Sequence, residues 1–194
     1  EAIQVCQTLT RLFPDSTLVD RALLKIGTAK MQGENPTEAI GIFHAVIRLP
    51  KSDLKAEAQY LIARVQEEEA DRRVKGTDRE PDYSHAMLAY KQCADLYPES
   101  PFAGDALEKI ATYYITTKDY ARAIELMERV FQDYPDASFL DRMLIQWVQA
   151  AYRMGDFQLA REKCDVLLAE YPSSKLAPKA RAFRDAIMKK IGEE

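Results

Sequence analysis

The sequence predicts an all-α fold, an array of about ten helices that pair into units and stack side by side. Three observations predict it. A proline returns at a nearly constant interval: Pro98, Pro135 and Pro172 are 37 residues apart, and Pro14 and Pro50 are 36 apart. Between prolines, apolar residues recur at three- and four-residue steps, the period of one helical face. Midway through each interval a short polar or glycine-containing break divides the pattern, so each unit reads as two helices.

The bulk properties fit such an array. The chain has 194 residues, 47% apolar and 30% charged, enough apolar surface to offset the entropy of ordering. A net charge of −4 and a pI near 5.4 argue against a nucleic-acid binder, which needs a basic stripe to neutralise phosphates. No apolar run approaches the roughly 20 residues that span a bilayer. The chain begins neither with Met nor with a basic and apolar leader.

Taken in order, the elements are as follows. Residues 1–16 read as half a unit, because EAIQVCQTLTRLFP aligns with RAIELMERVFQDYP, placing Ala2 on Ala123, Cys6 on Met127 and Leu9 on Val130. The pattern therefore opens at a second helix, and the sequence is expected to be a piece of a longer protein. The unit 17–52 carries Leu23, Ile26 and Gly27 on its first helix, then Ala39, Phe43 and Val46 on its second. The unit 53–100 is longer, since Pro50 and Pro98 are 48 apart. The excess is an insertion at 66–82, QEEEADRRVKGTDREPD. Its helix-forming first part extends the first helix, Gly76 ends it, and Thr77 to Asp82 form a polar loop. A partner-docking projection and a merely solvated extension both fit this segment.

In the unit 101–137, Leu107, Ile110, Ala111 and Tyr114 share one face, TTKD breaks the helix, and Ala123, Ile124, Met127 and Val130 resume it. Pro135 stops that helix because it lacks an amide donor, and Ser138 is the expected N-cap of the next. The unit 138–174 repeats the form with Leu144, Trp147, Val148 and Ala151, a Gly155-Asp156 turn, then Ala160, Cys164 and Leu167. Residues 175–194 read as a capping helix. Ala180, Phe183, Ile187 and Ile191 face the stack, and Lys179, Arg181, Arg184, Lys189 and Lys190 face water, with Asp185, Glu193 and Glu194 interspersed.

This order of residues resembles the tetratricopeptide repeat: a large apolar residue, a small one (Gly27, Ala63, Ala111), an aromatic (Tyr114), a small alanine (Ala39, Ala86, Ala123, Ala160), then a bulky residue and proline. Gln59 stands where the other units have leucine, and Lys30, Gln66 and Ala151 stand at the aromatic position. The resemblance implies a right-handed α–α superhelix covering residues 1–194. The 37-residue pitch and the recurrent Tyr-Pro-x-Ser look like the periplasmic subset, which includes the lipoprotein of the bacterial β-barrel assembly machine and the coordinator of the Tol-Pal system. That likeness implies a periplasmic or outer-membrane location, with the cytoplasm as the alternative. The lipidated cysteine of the family lipoproteins has no counterpart, since Cys6 is mid-helix.

In the family, first helices line the concave face, and their non-core side chains bind a protein or peptide. By register these are Arg21, Leu24 and Thr28, then Tyr60, Arg64 and Glu67, then Glu108, Thr112 and Ile115, and finally Ile145, Gln149 and Tyr152. Contacts within the array are the competing role for each. The set lacks the paired basic clamp that reads a terminal carboxylate in chaperone-binding relatives, so apolar anchors with a polar rim are expected.

Nothing in the sequence calls for catalysis, a cofactor or a metal. Cys6, Cys93 and Cys164 fall on the inner faces of second helices in different units and read as buried apolar residues. His44 and His85 lie on separate second helices with no nucleophile placed beside them. Two functions remain: a protein-binding scaffold in an envelope-associated assembly, or a regulatory or targeting domain of a larger protein with its catalytic part elsewhere.

Overall fold

Residues 2–33 and 35–192 are described by the computed structural model, and every regular element among them is an α-helix. These are α1 (Ala2–Leu12), α2 (Val19–Gln32), α3 (Pro36–Arg48), α4 (Lys55–Val74), α5 (Ser84–Leu96), α6 (Pro101–Thr116), α7 (Tyr120–Asp133), α8 (Leu140–Met154), α9 (Phe157–Glu170) and α10 (Ala177–Gly192). Glu193 and Glu194, assigned above to the capping helix, lie outside the described residues, as does the side chain of Ala2.

Each second helix ends two residues before its proline, at Leu12, Arg48, Leu96, Asp133 and Glu170. The residue before a proline is pushed out of the helical region, so the stop is steric. The chain then makes one tight turn. The amide two residues past the proline donates to the carbonyl one residue before it, as Ser16 to Phe13 (3.0 Å) and Ser174 to Tyr171 (3.0 Å). The serine hydroxyl in turn accepts from the amide two residues on: Leu18 on Ser16, Leu54 on Ser52, Phe102 on Ser100 and Leu176 on Ser174. The fourth turn holds Ala137 at this position, so Ser138 is one residue out of register. The N-cap of α8 is Phe139, without a side-chain cap, which corrects the expectation for Ser138.

Three of the breaks inside units use acidic or amide caps, while α5 has Tyr83 as its N-cap, without a side-chain cap. Asn35, Asp119 and Asp156 accept from the amides of Glu38, Arg122 and Leu159, at 3.3, 3.2 and 2.9 Å. Such a cap satisfies one of the orphan donors of a helix start. The residues before two of these caps, Lys118 and Gly155, take positive φ of 62° and 89°.

The chain divides into two compact units, Glu1–Ala106 and Leu107–Glu194. In the first, α1 packs on α2, α2 on α3, α3 on α4 and α4 on α5. Phe43, Val46, Ala58 and Ala63 are buried in its core. Gly27 is small because a Cβ there would stand 2.5 Å from the Phe43 ring. Gln59, in place of leucine, is buried and donates to the Ala89 carbonyl and to Gln92, both at 3.3 Å. Helix α4 is 20 residues long and ends where the Val74 carbonyl accepts from the Thr77 amide and hydroxyl, with Gly76 at φ 80°. The Tyr83 hydroxyl donates to Asp71, tying the following loop to that helix.

In the second unit, Ile115, Ala123 and Ala150 form one cluster, and Val148, Ala151, Ala160, Cys164 and Ile187 another. Helix α10 packs on α8 and α9. Its inner face is Ala177, Ala180 and Ile187, with Phe183 and Ile191 half-buried against the same core. Lys179, Arg181, Lys189 and Lys190 are exposed, and Arg184 pairs with Asp165 at 3.6 Å.

Candidate functional site

The residues expected to meet a partner separate into exposed, half-buried and core positions. In the first unit, Arg21 is exposed on α2, while Leu24 and Thr28 are half-buried, and the Thr28 hydroxyl donates to the Leu24 carbonyl at 2.9 Å. On α4, Tyr60 is half-buried with its ring 5.5 Å from both Tyr90 and Phe102. Burial pushes its hydroxyl up from the usual tyrosine value; Asp105 and Glu67 add to this and Arg64 opposes it. Arg64 pairs with Glu68 at 3.0 Å, and Glu67 accepts from the Tyr90 hydroxyl at 2.6 Å. Tyr90 itself is buried, and desolvation with the Glu67 bond raises its hydroxyl far above the ordinary range. Tyr60, Arg64 and Glu67 thus form one aromatic and charged patch on α4, held from below by α5.

In the second unit, Glu108 joins α6 to α8 through Arg142 (3.2 Å) and Gln146 (3.4 Å). Thr112 is exposed on α6. Gln149 is half-buried and donates to the Ile145 carbonyl at 3.3 Å. Tyr152 is half-buried and set edge-on against Phe157 and Phe183, at centroid distances of 5.4 and 6.2 Å. Two expected surface residues belong to the core instead. Ile115 is 4% exposed and packs with Ala123 and Ala150; Ile145 is 3% exposed and packs with Leu167, Ala177 and Ala180. Both are large aliphatic side chains on an arc that a neighbouring helix covers, so burial takes them from any ligand.

Sequence reasoning passed over Arg142, which stands seven residues after its proline, as Arg21 does. That shared register was the available signal. It also passed over the stacking of the Lys163 ammonium on Trp147, 4.2 Å from the ring centroid, which no spacing announces.

Of the remaining reactive groups, two cysteines are placed for packing. Cys93 and Cys164 are fully buried, and burial pushes their thiols up to about 12 and about 11, so both stay protonated and unreactive at neutral pH. Cys6 is half-buried on α1, and His44 and His85 are exposed on α3 and α5. Among the described residues, no cluster of His, Cys, Asp and Glu could hold a metal ion, and no helix is long and apolar enough to cross a membrane.

Comparison with known proteins agrees with the all-α repeat fold. The sequence pattern of the tetratricopeptide repeat matches residues 21–52, 105–137 and 144–174. No curated protein matches the chain. Among solved structures, a tetratricopeptide repeat protein from Parabacteroides merdae is similar with a TM-score of 0.58 at 15% identity, over 98% of this chain and 67% of that one. BtubC from P. vanneervenii gives 0.62 at 14% identity, over 98% and 80%. MamA gives 0.50 at 18% identity, over 99% and 90%. At these identities the likeness is one of fold.

Proposed function

We propose that this chain, which carries tetratricopeptide repeats in an all-α fold, is a non-enzymatic scaffold that binds protein partners through its first helices. The observation that carries the reading is the set of exposed and half-buried polar and aromatic side chains beside the core arcs of the first helices. Second helices bury their small and apolar face, as Ala123, Met127 and Val130 do on α7, while α2, α4, α6 and α8 bury one arc and keep polar and aromatic side chains beside it. The binding residues are Arg21, Leu24 and Thr28 on α2, Tyr60, Arg64 and Glu67 on α4, Glu108 and Thr112 on α6, and Gln149 and Tyr152 on α8. Tyr60, Arg64 and Tyr152 are of the types that dominate binding energy at interfaces. The other residues of the set, Leu24 apart, are polar, which suits a peptide or helix docked by a few anchors within a polar rim.

The repeat pitch and the Tyr-Pro turns further support a place in a bacterial envelope assembly, periplasmic or at the outer membrane. The array comprises the half unit 1–16, the units 17–52, 53–100, 101–137 and 138–174, and the cap from 175 onward. Affinity capture with the full chain and with Arg21→Glu and Thr112→Glu variants tests the function. Both positions are exposed, so the fold survives the change. The proposal expects bound proteins whose recovery falls at least severalfold in one or both variants. Recovery unchanged in both, with circular dichroism intact, contradicts it. Fractionation of the source cells tests the location separately.

A further inference from the structure

We draw no further inference here: the strongest candidate, the open apolar side of α1 and the turn after it, where Val5, Leu12, Phe13 and Leu18 are exposed, carries nothing because nothing in the structure shows what covers it.

Discussion

Gly27 leaves no room for a methyl group. An added Cβ would stand 2.5 Å from Phe43, a fully buried ring that cannot swing aside. Gly27→Ala is therefore expected to destabilise by ~1–3 kcal/mol through overpacking. Gly41, on the next helix, has nothing within 4 Å of the same added atom. Gly41→Ala is expected to stabilise by ~0.5–1 kcal/mol, because alanine loses less entropy in a helix. Urea titrations of the pair check this, and shifts of the same sign would contradict the packing described. A second residue-scale expectation concerns alkaline pH. Tyr90 ionises at 10.0 when unperturbed and Cys93 at 9.0, and burial raises both in the folded chain, Cys93 to about 12. Below those unperturbed values both groups are protonated in folded and unfolded chains alike, and stability is intact. Above about pH 9–10 the unfolded chain releases protons that the folded chain retains, so stability falls as pH rises. Tyr90→Phe is expected to cost ~1–2 kcal/mol at neutral pH by removing the Glu67 bond. It should also make the alkaline fall of the melting temperature shallower; an unchanged slope would contradict the burial of that hydroxyl.

At the scale of elements, one hydrogen bond recurs in a way that ties turn to helix. The Ser52 hydroxyl donates to Asp20 at 2.9 Å, and the Ser174 hydroxyl donates to Asp141 at 2.5 Å. Asp20 and Asp141 hold the same register, six residues after Pro14 and Pro135. The equivalent residues after Pro50 and Pro98 are Ala56 and Gly104, where no carboxylate exists to accept. A double-mutant cycle of Asp20→Ala and Ser52→Ala is expected to show a coupling of ~0.5–1.5 kcal/mol. Additive losses would remove the staple from the account. The turns themselves were legible, since proline spacing marks each helix stop by local sterics. The staple was not, because it joins residues 32 or 33 apart whose alignment depends on how two helices pack. The same limit explains Ile115 and Ile145. Spacing assigns them to a helix face, but a first helix touches more than one neighbour, and its apolar arc is wider than a single stripe. Which flank is covered is settled by the neighbour: α7 and α8 cover Ile115, and α9 and α10 cover Ile145.

For the whole molecule, both helices of each unit supply core, and the first helices also present polar and aromatic side chains beside it. Helix class and number follow directly from periodicity, which is why ten helices and no strand appear among the described residues. The binding residues were legible only as a register, and the structure divides them by burial: Arg21 and Thr112 exposed, Tyr60 and Tyr152 half-buried in ring contacts, Ile115 and Ile145 in the core. The direct measurement is photo-crosslinking of captured partners from single positions. A crosslinking residue placed at Arg21 or Thr112, on first helices, is predicted to trap partner protein. The same residue at Leu88 or Glu128, exposed on the second helices α5 and α7, is predicted to trap none. Crosslinks confined to the second-helix positions would contradict the account.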